Sequence, residues 1–212
     1  MKQYIAELIG TFALVFCGTG SMVINEVTGG DVTHVGIGIT WGMIVMAMIY
    51  TFGKISGAHI NPAVTIAFAC TDRFDKKDIT SYIIAQLIGA FLASAVLTLL
   101  FPDSMKLGAT LPAGSWQQSF ILEIILTYFL MLVVLFVGQN NETKNVTGFA
   151  VGAVVMLEAI FAGPITGASM NPARSIAPAI ISGNLTHLWI YILAPIIGAV
   201  LATYTWLYMK ED

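Results

Sequence analysis

The tripeptide Asn-Pro-Ala occurs twice in this chain, and the second copy is followed directly by Arg174. Asparagine is a favoured N-cap and proline a favoured first helical residue, so each copy predicts a helix start. If each asparagine carbonyl caps its own helix, the amide NH₂ stays free to donate to a passing water or hydroxyl group. A guanidinium stays charged and is costly in hydrocarbon, so Arg174 should also meet water. The motif residues are Asn61, Pro62 and Ala63 in the first copy and Asn171, Pro172 and Ala173 in the second.

The chain around these motifs is strongly apolar. Its 212 residues are 57% hydrophobic and 10% charged, whereas an ordinary soluble domain has about 25% charged residues. A transmembrane helix needs about 20 mainly apolar residues, and six runs reach this length. We predict an all-α membrane protein whose first run is a retained helix and not a removable signal peptide. The predicted spans are Tyr4–Asn25, Val35–Gly53, Ile79–Phe101, Phe120–Gly138, Val146–Gly163 and Leu188–Met209.

The apolar segments after Asn61 and Asn171 are too short to cross a bilayer. Each allows about two to three helical turns, roughly half of the membrane thickness, which predicts two re-entrant half helices. Irregular backbone at this depth is tolerated only where protein buries it or water reaches it, so the segments imply a lumen. Each helix N-terminus carries about half a positive charge, so two of them at one point would repel cations and hydrated protons.

An internal repeat relates the two motifs. Residues 56–67 match residues 166–177 with seven identities in twelve, and residues 87–93 resemble residues 196–202. Each half then contains three spans. Because three is odd, the second half must enter the membrane from the opposite side, as in an inverted repeat. We predict one domain over residues 1–212, with repeats at approximately 1–105 and 115–212.

The basic residues are distributed unevenly between the two predicted faces of the membrane. With a cytoplasmic amino terminus, Lys106 alone lies outside, in the connection over residues 101–117, which we expect to be exposed. This strong positive-inside bias predicts cytoplasmic amino and carboxyl termini. The residues expected inside are Lys2, Lys54, Arg73, Lys76, Lys77, Lys144 and Lys210.

Over nearly its whole length the chain resembles the aquaporin, or major intrinsic protein, family. The resemblance is carried by the intact segments SGAHINPAVT and NPAR. It implies six transmembrane helices and two half helices in a right-handed bundle, assembled as a homotetramer with one pore per subunit in the plasma membrane. It also implies a passive channel for water and small uncharged solutes that excludes protons and ions. No cofactor, metal or nucleic-acid partner is expected.

Four polar side chains are predicted to hold the pore loops. Glu7 and Glu123 match the paired glutamates that family members use for this purpose. His59, just before the first motif, is interpreted as a pore-lining or loop-bracing group. Glu158 precedes Ala159 in the fifth span and should point away from the pore if Ala159 points into it, because successive helix positions are about 100° apart. We expect Glu158 to hold a loop backbone or to remain protonated.

Family members narrow the pore at four positions, which counting from the motifs locates at Trp41, Ala159, Ala168 and Arg174. Water-selective relatives typically have Phe and His at the first two. A methyl group at Ala159 and an apolar wall at Trp41 predict a wider ring that suits a small polyol or amide. The set resembles that of nodulin-like intrinsic proteins and approaches that of glycerol facilitators, although Ala168 replaces a second aromatic residue. The candidate solutes are glycerol, urea, ammonia, hydrogen peroxide and undissociated metalloid acids.

Alternatives apply to the residues and to the function. Trp41 could be an interfacial belt residue, and the two alanines could serve helix packing. The pore could be strictly water-selective. Glu158 and the inverted repeat could instead belong to a proton-coupled carrier. A sealing protein is disfavoured by the small filter residues, and an enzyme by the lack of a nucleophile, base and orienting set or of metal-ligand spacing.

Overall fold

The computed structural model describes residues 1–71, 73–140 and 142–210. Within these ranges the chain forms eight α-helices, two short 3₁₀ turns and no strand. Six of the helices are long and apolar enough to cross a membrane, which confirms the predicted fold class. The helices are α1 (Lys2–Val27), α2 (Thr33–Ser56), α3 (Pro62–Ala69), α4 (Ile79–Leu100), α5 (Trp116–Gln139), α6 (Thr147–Thr166), α7 (Pro172–Ser182) and α8 (Leu188–Met209).

Helix ends differ from the predicted spans where capping groups extend them. Helix α5 begins four residues before the predicted Phe120, because the Ser115 hydroxyl accepts a hydrogen bond from the Gln118 amide. Helix α6 continues through Pro164 to Thr166. Proline has no N–H to donate to the Ile160 carbonyl four residues earlier. That carbonyl lies 2.6 Å from the His34 Nε2 atom instead.

The two short helices α3 and α7 follow the Asn-Pro-Ala motifs. At 1.5 Å per residue, their 8 and 11 residues give lengths of about 12 and 16 Å, well short of the hydrocarbon thickness of about 30 Å. Helix α7 ends at Gly183, which has a left-handed backbone conformation. Neither segment is a transmembrane span.

The bundle is built from similar helix pairs in its two halves. Helix α1 packs along α4 and α5 packs along α8, while α2 packs against α6 and joins the halves. A Cβ atom at Gly89 would lie 2.2 Å from the Leu8 carbonyl oxygen, and one at Gly198 would lie 2.2 Å from the Ile124 carbonyl oxygen. Only glycine permits these close approaches, which suit a bundle without a hydrophobic drive between helices.

Polar and apolar side chains are arranged for a lipid environment. Glu7, Thr11 and Glu123 are fully buried between helices, whereas large apolar side chains such as Ile5 and Phe129 are exposed on the outer surface. A buried carboxylate or hydroxyl is costly without a hydrogen bond; both glutamates have partners, whereas the Thr11 hydroxyl has none among the described residues. The chain is therefore a multi-pass membrane protein with polar groups buried between its helices.

The connection between α4 and α5 is only partly exposed, contrary to expectation. Asp103 and Lys106 are exposed, but Leu107 and Gly108 are buried. The Ala113 amide donates to the Ile165 carbonyl at 2.9 Å. Because the backbone groups of this segment find partners in the bundle, the connection folds inward.

Candidate pore

A cavity of about 550 Å³ lies between the two half helices. It is lined by both motif asparagines and by the four predicted filter residues, Trp41, Ala159, Ala168 and Arg174. It extends to residues at the opposite ends of α2 and α6, including Lys54 and Lys144. The motif asparagines and the predicted filter residues thus line the same cavity.

The motif residues form the starts of α3 and α7. The Asn61 Oδ1 atom accepts from the Ala63 amide at 2.9 Å, and the Asn171 Oδ1 atom accepts from the Ala173 amide at 3.0 Å. Each motif proline is the first helical residue, where a missing N–H costs nothing. The helix starts therefore follow from local sequence. Pro62, Ala63, Pro172 and Ala173 are all buried.

The asparagine amides also cross between the two loops. The Asn61 Nδ2 atom donates to the Met170 carbonyl at 2.7 Å, and the Asn171 Nδ2 atom donates to the Ile60 carbonyl at 2.9 Å. Each NH₂ has two hydrogens, so this bond uses one and leaves the other for a molecule in the cavity. The prediction that the whole NH₂ group is free is therefore wrong, because one of its hydrogens bonds to the opposite loop. The two reciprocal hydrogen bonds link the half helices.

The backbone before each motif is strained at matching positions. Ala58 and Ile60 have φ values of 48° and 43°, and Ala168 and Met170 have values of 43° and 52°. Such left-handed non-glycine residues cost about 1–3 kcal/mol each and persist only where the surroundings hold them. The two loops therefore need strong partners.

Glu7 is the partner of the first loop. Its Oε1 atom accepts from the Ser56 hydroxyl at 2.6 Å and from the His59 amide at 2.9 Å. Its Oε2 atom accepts from the Ile60 amide at 2.6 Å and from the Gln86 side chain at 2.8 Å. A carboxylate offers enough acceptor sites for all four donors, which a neutral side chain of this size does not.

Glu123 holds the second loop in the same way. Its Oε1 atom accepts from the Thr166 hydroxyl and from the Ser169 amide, the latter at 2.8 Å. Its Oε2 atom accepts from the Met170 amide at 2.9 Å. Hydrogen bonds to a charged acceptor are roughly twice as strong as neutral ones, so the two glutamates offset the backbone strain.

Two tyrosines complete these loops and were missed in the sequence. The Tyr82 hydroxyl donates to the Ser56 carbonyl at 2.8 Å, and the Tyr191 hydroxyl donates to the Thr166 carbonyl at 2.7 Å. Both carbonyls lie at the last residue of a long helix, where helical partners are lacking. The signal was present, because the tyrosines are 109 residues apart, the same spacing that relates residues 87–93 to 196–202.

His59 and Ser169 occupy equivalent loop positions. The His59 Nδ1 atom lies 3.2 Å from the Thr65 hydroxyl, and the Ser169 and Ser175 hydroxyls are 2.6 Å apart. The His59 ring is buried, stacks on Phe68 at 4.7 Å and lines the cavity. The geometry allows both roles considered for His59, at the pore surface and in the loop.

Arg174 is only 1% exposed and is surrounded by dissimilar groups. Its Nη1 atom donates to the Gly108 carbonyl at 2.7 Å, and its Nη2 atom lies 3.3 Å from the Met22 sulfur. The Cζ atom lies 4.7 Å from the centroid of the Trp41 ring, a cation–π contact. Its Nε atom is buried without a hydrogen-bond partner among the described residues. The two contacts use two of the five N–H donors of the guanidinium, so one further N–H on each Nη atom remains besides the buried Nε–H.

Gly108 and Met22 were also missed in the sequence. Gly108 lies in the connection outside the internal repeat, so no matching copy marks it. Met22 resembles any other apolar residue of a membrane helix. Only the folded chain brings a thioether and a loop carbonyl to the same guanidinium.

Glu158 differs in its contacts from the other predicted loop-bracing residues. It is buried, but it is absent from the cavity wall, and its Oε2 atom has no hydrogen-bond partner in the described part of the chain. No hydrogen bond in this part of the chain joins it to either re-entrant loop. Its neighbour Ala159 lines the cavity, in keeping with the 100° between successive helix positions.

Six long apolar helices around a cavity, with two half helices that meet inside it, define an integral membrane channel. The described residues contain no group of three or more side chains that could hold a metal ion.

Comparisons with known proteins agree with this class. The major intrinsic protein family matches residues 1–208, and the chain belongs to this family. It is 46% identical to aquaporin NIP1-1 of Zea mays over 202 residues, and this match covers 94% of this chain and 72% of that protein. It is 44% identical over 210 residues to nodulin-26 of Glycine max, which covers 98% of this chain and 77% of that protein.

The fold comparison gives the same result. The X-ray structure of the aquaglyceroporin from Plasmodium falciparum matches with a TM-score of 0.88 at 28% identity, over 97% of this chain and 94% of that one. Family and fold together make this chain a membrane channel for water and small neutral solutes, as the sequence predicted.

Proposed function

We propose that the channel conducts small polyols such as glycerol together with water, by passive diffusion. The observation that carries this proposal is that all four predicted filter residues line the cavity. Ala159 and Ala168 contribute only methyl groups to this set, whereas Trp41 and Arg174 contribute an indole and a guanidinium that are in contact. A ring with two small sides has room for a solute larger than water.

The same ring has the chemistry that a polyol requires. The CH edge of glycerol packs on the apolar Trp41 indole, and its hydroxyl oxygens accept hydrogen bonds from the Nη hydrogens of Arg174 that the protein leaves unused. A site that offers a hydrogen-bond donor on one side and an apolar wall on the other orients such a solute without binding it tightly. Urea, with an amide oxygen, fits the same scheme.

Charged solutes are excluded by three features. Arg174 repels cations at the filter, and the N-termini of α3 and α7 add partial positive charge at the asparagines. A water that accepts from both Asn61 and Asn171 turns its hydrogens outward along the pore, which interrupts a proton wire. This arrangement favours a channel without ion or proton flux.

The placement in the cell and the assembly are part of the proposal. We place the protein in the plasma membrane, as the family resemblance implies. Both termini lie in the cytoplasm because of the charge asymmetry of the loops. The chain acts as one domain with inverted halves at about 1–105 and 115–212, and it assembles as a homotetramer with one pore per subunit. No enzymatic activity is proposed.

A proton-coupled carrier is the second candidate, and Glu158 is its motivation. An intramembrane carboxyl with an unpaired oxygen is a functional candidate by default. Its absence from the cavity wall favours the passive channel, because a coupling group must meet the solute path.

Stopped-flow measurements on proteoliposomes test the proposed solute class. The protein should accelerate both water and glycerol flux over empty vesicles, and Ala159→His should suppress glycerol about tenfold more than water, because an imidazole fills the open side of the filter. Equal loss of both fluxes would show that the constriction lies elsewhere. Water flux without glycerol flux in the unmodified protein would identify a strictly water-selective channel.

A further inference from the structure

The Trp41 indole lies against a position on α1 that has no side chain. Gly18 is buried in the middle of α1, and a Cβ atom built there would lie 2.3 Å from the Trp41 Cζ3 atom and 2.4 Å from its Cε3 and Cη2 atoms. These distances are far below van der Waals contact. The six-membered ring of the indole therefore occupies the space that any larger residue at position 18 would fill.

The contact with Arg174 further limits the freedom of the indole. The Arg174 Cζ atom lies 4.7 Å from the Trp41 ring centroid, and both residues line the cavity. An indole is rigid and has only two side-chain torsions, so it cannot fold away from a contact as a lysine or methionine would. If α1 pushed on the ring, the nearest open space would be the cavity itself.

Gly18 differs from the glycines that serve helix packing. The Cβ atoms of Gly89 and Gly198 would meet backbone carbonyls of a neighbouring helix, whereas the three nearest atoms at Gly18 all belong to the Trp41 ring. Gly20, two residues further along α1, would meet only the Leu97 Cδ2 atom at an ordinary 3.4 Å. The indole of Trp41, and not the backbone of a neighbouring helix, thus fills the space beside Gly18.

We propose that Gly18 is a specificity-determining residue that sets the width of the filter from behind Trp41. A glycine lets the indole rest against α1 and keeps the ring open to glycerol-sized solutes, and any side chain there drives the indole into the pore. This inference rests on the proposed function, since it concerns which solutes pass the same ring.

Gly18→Ala tests the inference in proteoliposomes, with Gly20→Ala as the matched control. Both changes add one methyl group to the same helix and raise helix propensity equally. Overpacking by a methyl group at Gly18 should lower glycerol permeability about fivefold or more while water falls less than about twofold. Gly20→Ala should conduct both solutes like the unmodified protein. Protein content is measured in each preparation so that permeability is compared per channel.

Trp41→Phe supplies the rescue, because phenylalanine has a single ring and lacks the fused outer ring of the indole, whose Cε3, Cζ3 and Cη2 atoms overlap the new methyl group. The double variant should then conduct glycerol as well as Trp41→Phe alone. If Gly18→Ala does not yield folded protein, recovery of folded channel in the double variant supports the same coupling, and no recovery overturns it.

The outcomes separate this inference from the proposed function. If the unmodified protein conducts no glycerol, the proposed function fails. If it does, and Gly18→Ala behaves like Gly20→Ala, the inference alone is overturned. A uniform loss of water and glycerol that Trp41→Phe does not relieve also overturns it, because it would show a packing defect without effect on pore width.

Discussion

At the scale of single residues, Arg174 shows how a buried charge is accommodated without an ion pair in direct contact. The guanidinium contacts the Gly108 carbonyl through Nη1, the Met22 sulfur through Nη2 and the Trp41 ring through its face. A sulfur is a weak acceptor compared with oxygen. Each Nη atom is thus held through one of its two hydrogens, and we propose that the second hydrogens are available to the solute.

Met22→Leu should loosen this arrangement. Leucine has a similar volume but no acceptor, so Nη2 loses its partner and the guanidinium can swing into the cavity that it lines. Because sulfur is a weak acceptor, we assign the contact the value of an ordinary hydrogen bond, about 0.5–1.5 kcal/mol, which corresponds to a roughly two- to tenfold effect. We expect a fall in glycerol permeability near the lower end of that range, measured by stopped-flow light scattering.

Met43→Leu is the control for this change, because Met43 lies on the lipid-facing surface with 52% exposure. It should leave both permeabilities unchanged. Unaltered glycerol flux in Met22→Leu would show that the sulfur contact does not position the guanidinium.

At the scale of elements, the two re-entrant loops depend on carboxylates from α1 and α5. Each loop combines a left-handed glycine, strained residues before the motif and a glutamate that accepts from consecutive backbone amides. Because both oxygens of Glu7 and both of Glu123 face backbone N–H groups, no orientation of a neutral amide satisfies either site. We propose that these bonds hold the half helices in register with the filter.

Glu123→Gln should therefore destabilise the protein. A glutamine would aim its NH₂ group at a backbone N–H, leaving a buried donor unsatisfied at a cost of about 1–3 kcal/mol. For a chain of this size each kcal/mol lowers the Tm by about 2–4 °C, so a fall of several degrees is expected in detergent. Glu7→Gln should behave alike for the same reason.

Glu158→Gln is the internal comparison for these variants. It changes a buried glutamate to glutamine in the same bundle, but Glu158 bonds to neither loop. Its Tm should stay within about a degree of the unmodified protein. A fall as large as that of Glu123→Gln would support the loop-bracing role that the sequence predicts for Glu158.

What the sequence predicts at this scale depends on how local each interaction is. The half helices follow from Asn and Pro at the cap and first helical position, and the spans follow from apolar runs. The inward fold of the connection around Gly108 could not be predicted, because it depends on partners such as Arg174 that are distant in sequence. The reciprocal bonds of Asn61 and Asn171 likewise depend on two loops that meet only in the folded bundle.

At the scale of the whole molecule, six apolar helices surround an interior that holds buried polar groups and the cavity of the two motifs. Membership of the major intrinsic protein family makes the chain a channel, and the cavity wall explains how it can be a passive one. The solute path meets donors at Arg174 and at the two asparagines, while the unpaired carboxyl of Glu158 stays outside it. Transport should therefore follow the solute gradient alone.

Simultaneous measurement of glycerol and proton flux in proteoliposomes tests this central claim most directly. Vesicles loaded with a pH-sensitive dye are mixed with glycerol, with and without an imposed pH gradient. We predict faster glycerol entry than in empty vesicles, the same rate with either gradient, and no dye response beyond the background leak. Proton movement that accompanies glycerol, or glycerol accumulation driven by the pH gradient, would contradict the account and identify a coupled carrier.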